Sequence, residues 1–317
     1  MRVPDFFIVG APKCGTNALY SYLRDHPRVY MPELKEPHYF CGDFPGLAQV
    51  DDARSYEALF AQAAPDMLAG EASVWYLFSD VAVKEILQAN PAAKIVVALR
   101  NPIDMAHSLH AQFVRLFKDH VTDFEAAWRL QEERRAGKRL PPYCPEARCL
   151  QYRDVCSFGQ QLDRVQSLVP PEQLKVYIFE EFFGDVGRQY ADLLEFLGLE
   201  PDGREVFGVA NENRVVKNHA LLRFLAAAAS FLPGDLLWYR RVARALGISP
   251  LTLLSRYNAI AASRPALSPE LRRMVADELA DDVRLLERLL GRRMTPWPEF
   301  SEGREMSNFG LVAGAKY

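Results

Sequence analysis

The sequence predicts an α/β fold in three layers, with a central, mainly parallel sheet flanked by helices. Three short apolar runs with β-branched residues are typical of strands that are buried on both faces, and a helix-like pattern follows each of them. These runs are FFIV at 6–9, KIVVAL at 94–99 and LKVYIF at 174–179. Because ligands bind at the carboxyl ends of such strands, the residues that come after each run are the first candidates for a site.

Helix patterns fill much of the chain between these runs. The predicted helices are 51–64, 82–89, 157–169, 185–197 and 268–290, with a further helix that starts near Pro102. Ser268 is a suitable N-cap, Pro269 suits the first helical position, and Gly198 and Gly291 suit the positions just after a helix end. We therefore expect alternating strands and helices over most of the chain.

Size and composition indicate a globular protein. The chain has 317 residues, of which 49% are hydrophobic and 25% charged, and we predict one domain over 1–317 with a helical C-terminal portion from about 218. A formal net charge of −3 argues against a nucleic-acid partner. The odd count of five cysteines and the lack of a signal-peptide pattern predict a cytoplasmic protein with reduced thiols.

The segment from Asp5 to Leu19, DFFIVGAPKCGTNAL, has the features of an anion-binding loop. A strand ends at Gly10, a tight loop comes next, and a helix begins near Thr16. Backbone N–H groups converge in such a loop, and the helix N-terminus adds a positive partial charge. Lys13 contributes a full charge within the loop, so phosphate or sulfate is the expected ligand.

The loop resembles a Walker A motif and so favours a P-loop-like fold, but it differs at an important position. Its lysine is Lys13, inside the loop, and Asn17 follows Gly15-Thr16, whereas a nucleoside-triphosphatase needs a later Lys-Ser/Thr pair for phosphates and Mg²⁺. The octet PKCGTNAL instead resembles the phosphosulfate loop of sulfotransferases that use 3′-phosphoadenosine-5′-phosphosulfate (PAPS). That resemblance implies that the 5′-phosphosulfate is bound by the loop residues Lys13, Cys14, Gly15, Thr16, Asn17 and Ala18.

A second segment, KEPHYF at 35–40, is similar to one found in the carbohydrate (heparan sulfate-type) members of that family. In the family the glutamate is the catalytic base and the histidine lies near the acceptor, which assigns these roles to Glu36 and His38. If the segment is extended, both side chains point the same way. The alternative is an ordinary surface loop with one buried aromatic residue.

A third segment, GEASVWY at 70–76, resembles the family's G-E-K-[ST]-P-x-Y sequence with two departures. Ala72 stands where many carbohydrate sulfotransferases have a lysine, and Val74 replaces the proline. If that lysine helps the leaving group in relatives, Lys13 must do more here or another cation must take its place.

Arg100 and Ser108 match the family's R-[ND]-P-x-[DE]-x-x-x-S segment, which implies that they hold the 3′-phosphate of PAPS. A guanidinium can pair two oxygens of a phosphate in fork geometry, and a hydroxyl can satisfy another. A late loop, NENRVVK at 211–217, resembles the family's loop over this phosphate only in position, and it assigns a weak binding role to Arg214 and Lys217.

Two cationic regions allow more than one interpretation. Arg129, Arg134, Arg135, Lys138 and Arg139 lie among glutamates; we favour a solvated mixed-charge helix over a basic rim that guides an acidic ligand. The apolar and cationic segment 221–248 is predicted to pack under a lid, with a homo-oligomer surface or a peripheral membrane contact as alternatives.

The resemblance implies transfer of a sulfuryl group from PAPS to a hydroxyl or amine of a small-molecule or glycan acceptor, without a metal. It also implies that Glu36 removes the acceptor proton and that Lys13 stabilises the leaving phosphate of adenosine 3′,5′-bisphosphate (PAP). Two alternatives stay open: a magnesium-dependent P-loop kinase or hydrolase, and a non-catalytic nucleotide-binding protein. Ala72 favours the non-catalytic alternative, and the intact Glu36 opposes it.

Overall fold

A computed structural model describes residues 3–141, 144–208, 214–216, 259–261 and 265–301. The chain divides into two compact units. The first comprises Met1–Met105, Val155–Asn211 and Arg272–Tyr317, and the second Ala106–Asp154 and Glu212–Leu271. Most of the predicted C-terminal portion from 218, including segment 221–248, lies outside the described residues, so the single-domain assignment and the role of that segment stay predictions.

The first unit is built on a five-stranded sheet, which confirms the predicted fold class. All neighbouring strands in it are parallel, in the order β2-β3-β1-β4-β5. The strands are β1 Phe6–Gly10, β2 Val29–Tyr30, β3 Leu68–Ala72, β4 Lys94–Leu99 and β5 Leu174–Ile178. The three predicted strands are present, whereas β2 is very short and β3 (LAGEA) has no apolar run that could reveal it.

Helices alternate with these strands along the chain. They are α1 Thr16–Arg24, α2 Ala53–Ala58, α3 Ala82–Ala89, α4 Pro102–Arg115, α5 Phe124–Arg129, α6 Gln131–Arg135, α7 Tyr152–Cys156, α8 Phe158–Gln166, α9 Phe179–Gly184, α10 Val186–Leu197 and α11 Pro269–Leu290. Short 3₁₀ turns occupy Ala147–Leu150, Pro171–Gln173 and Pro298–Phe300. No helix among the described residues is both long enough and apolar enough to cross a membrane.

The central strands are buried on both faces, as their composition predicts. Phe6, Phe7, Ile8 and Val9 of β1 have no solvent exposure, and 95–99 of β4 are at most 2% exposed. Each such large apolar side chain contributes about 1.5–3 kcal/mol when it leaves water. This rigid pair of strands fixes the positions of the loops at their carboxyl ends.

Helix ends follow the sequence signals with two exceptions. Ser268 accepts from the Leu271 amide at 3.2 Å, and Gly198 ends α10 in the left-handed conformation. The Ser157 side chain makes no capping bond to α8; instead the Asp282 carboxylate accepts from the Gly159 and Gln160 amides at 2.8 and 3.0 Å. The helix predicted over 51–64 is shorter, since α2 ends at Ala58 and the chain continues in turns.

The second unit contains a buried ion pair. Arg134 donates two hydrogen bonds to Asp119, at 2.9 and 2.6 Å, and both side chains have no solvent exposure. Tyr152 donates to the same carboxylate at 2.8 Å. The expected solvated helix is therefore wrong for Arg134, whereas Arg129 and Arg135 form exposed pairs. A two-stranded antiparallel ribbon, β6 Arg214–Val216 with β7 Ala259–Ala261, also belongs to this unit.

Candidate active site

The anion-binding loop lies between β1 and α1, as the sequence predicts. A helix leaves its first backbone N–H groups without partners inside the helix, and this loop brings them to the carboxyl edge of the sheet. Gly10 packs so tightly that a side chain there would come within 2.9 Å of the Val74 carbonyl oxygen. Lys13 has a left-handed φ of 65°, which is uncommon for a residue with a side chain.

Gly15 allows α9 to pack directly against this loop. It caps α1 with a φ of 87°, in the left-handed region. A Cβ atom at this position would lie 2.7 Å from the Phe183 ring and 3.2 Å from the Phe179 ring. Both the backbone conformation and the close approach therefore require glycine.

The side chains of the loop differ in how they can contribute. Lys13 is half-buried and Asn17 exposed, whereas Cys14, Thr16 and Ala18 are buried. Burial raises the pKa of the Cys14 thiol far above its ordinary value, so the thiol stays neutral. It donates a weak hydrogen bond to the Pro12 carbonyl at 3.4 Å, which indicates that Cys14 serves mainly in packing.

Arg100 follows β4, the neighbour of β1, and lies against the same loop. Its Nη1 donates to the Lys13 carbonyl oxygen at 3.4 Å, and its guanidinium carbon lies 4.4 Å from the centre of the Phe179 ring. Its Nε is buried and has no hydrogen-bond acceptor among the described residues. The guanidinium is thus oriented by its surroundings while a buried donor remains for an anion.

Asn101 holds the turn after Arg100 by accepting one hydrogen bond and donating two. Its side-chain oxygen accepts from the Ile103 amide at 3.0 Å at the start of α4. The Asn101 backbone N–H donates to Glu180 at 3.0 Å, and its side-chain amide donates to Glu299 at 2.9 Å. These bonds fix the direction in which Arg100 leaves the sheet.

The other residues predicted to bind the 3′-phosphate are Ser108, Arg214 and Lys217. Ser108 lies about two turns into α4, as expected, and only 2% of it is exposed. It belongs to the second unit. Arg214 begins strand β6, for which the backbone alone is described, and Lys217 lies beyond the described part of the chain.

The segment that carries Glu36 and His38 runs beside the end of β3. The Glu36 amide donates to the Ala72 carbonyl at 3.0 Å, and the His38 amide donates to the Ser73 hydroxyl at 3.1 Å. The segment is not regularly extended, since Glu36 and His38 both have left-handed φ values, 65° and 52°. The condition under which both side chains would point the same way is therefore not met. Such backbone conformations are costly for residues with side chains, and they cluster at functional sites.

Glu36 and His38 have different surroundings. The Glu36 side chain is 33% exposed and forms an ion pair with Lys35, whose Nζ lies 2.6 Å from Oε1. His38 is only 4% exposed and packs edge-to-face on Tyr76, with ring centres 6.2 Å apart. Glu36 is therefore the better placed of the two to reach a solvent-borne acceptor.

Glu71, to which the resemblance assigned no role, is a buried carboxylate at this site. Its carboxylate has no solvent exposure and accepts from Tyr56, Ser73 and Tyr76 hydroxyls at 2.6, 2.6 and 3.1 Å. Burial raises its pKa from 4.5 to about 7, against the opposing effects of these hydroxyls and of the Lys35 charge. The sequence carries no signal for this role, because the strand that contains Glu71 has no apolar run that would reveal it.

The strand order brings the candidate residues to the two neighbours of β1. Arg100 follows β4 on one side, and the Glu36 segment borders β3 on the other. Lys35 adds a cation beside these two carboxylates, since its charge acts on Glu71 and it pairs with Glu36. Within the described ranges, no group of three or more His, Cys, Asp or Glu residues is arranged to hold a metal ion.

Comparison with known proteins gives one family. A family model for the sulfotransferase domain matches residues 3–224. Carbohydrate sulfotransferase 15 of Mus musculus is 29% identical, over 35% of this chain and 27% of its own length. The bifunctional heparan sulfate N-deacetylase/N-sulfotransferase 3 of Homo sapiens is 27% identical, over 63% of this chain and 23% of its own. The chain thus spans about a quarter of these curated relatives.

A solved structure matches over a much larger share. The crystal structure of a sulfotransferase from Alicyclobacillus acidocaldarius is 28% identical, with a TM-score of 0.67, and the match covers 94% of this chain and 100% of that one. The region matched by the family model, 3–224, contains the loop, the Glu36 segment, Glu71, Arg100 and Ser108.

Proposed function

Because this chain belongs to the sulfotransferase domain family, we propose that it transfers a sulfuryl group from PAPS to an acceptor hydroxyl or amine. The observation that carries the proposal is the contact between two segments far apart in sequence. Arg100, after β4, donates to the backbone of Lys13 in the loop after β1. A nucleotide with anionic groups on both the 3′ and 5′ positions of its ribose suits two cationic side chains on adjacent strand ends.

Two features support the fit of the donor. The loop offers backbone amides, a helix N-terminus and the Lys13 charge to the phosphosulfate group. Arg100 keeps a buried Nε that no described residue accepts from, and a guanidinium in this state suits the 3′-phosphate in fork geometry. Ser108, Arg214 and Lys217 stay proposed ligands of that phosphate.

The residues of the chain divide the chemistry between them. When bound, PAPS supplies a sulfuryl group attached to a phosphate that can leave. Lys13 and the loop amides stabilise the negative charge that grows on that phosphate. Glu36 accepts the acceptor proton as the new S–O or S–N bond forms, and His38 orients the acceptor.

Lys35 adds a second cation to this scheme. It holds Glu36 through the 2.6 Å ion pair, which fixes the position of the carboxylate. Ala72, at a position where many carbohydrate sulfotransferases have a lysine, supplies no positive charge. We propose that Lys35 takes over part of the charge compensation that a lysine at position 72 would give.

For the acceptor and the cellular location, we propose only a general class. The relatives named above act, by their names, on carbohydrate and heparan sulfate, and we propose a glycan or another hydroxylated small molecule here. No disulfide joins any of the five cysteines, all of which lie in the described ranges. This supports the proposed cytoplasmic location, since disulfides are rare there. Fractionation of cells that produce the protein, followed by immunoblotting, tests the location.

A thermal-shift comparison of PAPS, PAP and Mg-ATP tests the proposed function. With EDTA present, PAPS and PAP should each raise Tm, because no metal is needed for their binding. An Arg100→Lys variant is the matched control: it keeps the charge but loses the fork, so the shift should shrink without disappearing. Stabilisation by Mg-ATP alone would favour the kinase or hydrolase alternative, and binding of PAPS without turnover would favour the non-catalytic one.

A further inference from the structure

We propose that Glu71 is a positioning residue that holds the Glu36–Phe40 segment in place through the hydroxyls of Ser73 and Tyr76. This inference rests on the proposed function, in which Glu36 is the base. Glu71 itself lies in strand β3 with no solvent exposure, so it acts through its partners and does not touch the acceptor.

The first link of this network runs from Glu71 to His38. The Ser73 hydroxyl lies 2.6 Å from Glu71 Oε1 and 3.1 Å from the His38 amide nitrogen. A backbone N–H can only donate, so the Ser73 oxygen must accept from it. The single hydroxyl proton is then directed to Glu71, and the carboxylate fixes the orientation that His38 requires.

The second link runs from Glu71 to Phe40 by the same logic. The Tyr76 hydroxyl lies 3.1 Å from Glu71 Oε2 and 3.3 Å from the Phe40 amide nitrogen. It too must accept from a backbone donor, and so it turns its proton to the carboxylate. One buried carboxylate therefore anchors two alternate amides of the segment.

This segment needs such anchors because of its backbone. Glu36 and His38 both have left-handed φ values, which the surrounding structure must impose on residues that carry side chains. On its other side, Gln49 donates to the Glu36 carbonyl at 2.7 Å. The Glu71 network secures the inner side, and together these contacts hold the Glu36 carboxylate where the proposed reaction needs it.

Tyr56 provides the matched control for a test. Its hydroxyl donates to Glu71 Oε2 at 2.6 Å, and its ring stacks on Tyr39 with centres 4.3 Å apart. The Tyr56→Phe variant removes one hydrogen bond from the carboxylate but keeps the ring and leaves both anchoring hydroxyls in place. Ser73→Ala and Tyr76→Phe each remove one anchor.

Amide hydrogen exchange measures whether the two anchoring hydrogen bonds are intact, and it requires no sulfuryl acceptor. We expect exchange at the His38 amide to rise about tenfold or more in Ser73→Ala, and at the Phe40 amide in Tyr76→Phe. Glu71→Gln should raise at least one of them, because an amide NH₂ cannot accept a hydroxyl proton. Tyr56→Phe should leave both near the wild-type rates. Wild-type exchange at both amides in Ser73→Ala, Tyr76→Phe and Glu71→Gln would overturn the inference.

Measurement of kcat tests whether this anchoring affects the proposed reaction. The probe is PAP release from PAPS with N-desulfated heparan sulfate as acceptor. Ser73→Ala and Tyr76→Phe should lower kcat about tenfold or more while the KM for PAPS changes less than about threefold, and Tyr56→Phe should stay near wild type. Equal kcat in all three variants and the wild type would refute the positioning role. A wild-type protein that binds neither PAPS nor PAP would refute the proposed function instead, whatever the exchange rates show.

Discussion

Among single residues, two carboxylates in different surroundings are central to the proposed reaction. Glu36 is partly exposed and paired with Lys35, whereas Glu71 is buried and surrounded by hydroxyls. Such a contrast separates the roles of two chemically similar groups. Glu36 is assigned to the proton of the acceptor, and Glu71 to the architecture that supports Glu36.

Replacement of Glu36 tests the first of these roles. Glu36→Gln keeps the shape of the side chain and loses its proton affinity, so kcat should fall by about 10²–10⁴. Affinity for PAP should stay nearly unchanged, because the loop and Arg100 hold the nucleotide. His38→Ala should lower kcat less. A Glu36→Gln protein with the wild-type kcat would reject Glu36 as the base and make His38 the next residue to test.

Stability as a function of pH tests the state of Glu71. Burial raises its folded pKa from 4.5 to about 7, so between these values the folded protein keeps a proton that the unfolded chain has lost. The contribution of Glu71 is therefore most favourable below pH 4.5 and is lost as pH rises through about 7, by on the order of 3 kcal/mol.

The ionisable groups around Glu71 must not titrate over the same pH range, and Glu71→Gln is the control for this measurement. Tyr56 and Tyr76 stay protonated over the range because burial raises their pKa values. The nearby Cys41 thiol stays neutral for the same reason, and the charge of Lys35 also acts on Glu71. Tm of the wild type relative to Glu71→Gln should fall from pH 5 to pH 8. A difference in Tm that is independent of pH would show that Glu71 does not titrate there.

At the scale of elements, the site is made by the segments at the carboxyl ends of the strands. The apolar runs of β1 and β4 predicted both strands and placed the loop and Arg100 after them. β3 escaped prediction because LAGEA contains a glycine and a buried glutamate in place of an apolar run. The left-handed conformations of Glu36 and His38 could not be predicted either, since such residues rarely adopt them and only the surrounding contacts impose them.

The junction of the loop with α9 can be tested through its glycine. Gly15→Ala forces a Cβ against Phe183 at a φ of 87° and should cost about 1–3 kcal/mol of the free energy of unfolding. Affinity for PAP should fall with it, because the loop must shift. Gly184→Ala in α9 is the control, since a Cβ there meets nothing within 4 Å. Unchanged stability and PAP binding in Gly15→Ala would contradict this view of the loop.

At the scale of the whole molecule, the order of the strands decides which residues meet. The sequence predicted a parallel sheet with its ligands at the carboxyl edge, but not the order β2-β3-β1-β4-β5, which depends on contacts between distant segments. That order places β1 between the strand beside Glu36 and the strand before Arg100. The roles of these residues were predicted from the resemblance to sulfotransferases. The order of the strands explains why the residues can act together.

The proposed function requires this edge of the sheet to bind a nucleotide with a 3′-phosphate. Isothermal titration calorimetry with PAP and with 5′-AMP, both in the presence of EDTA, tests it most directly. A charge-assisted, bidentate contact with Arg100 is worth about 1.5–3 kcal/mol. We therefore expect PAP to bind about tenfold to a hundredfold more tightly than 5′-AMP. Equal affinity for the two nucleotides would contradict the account.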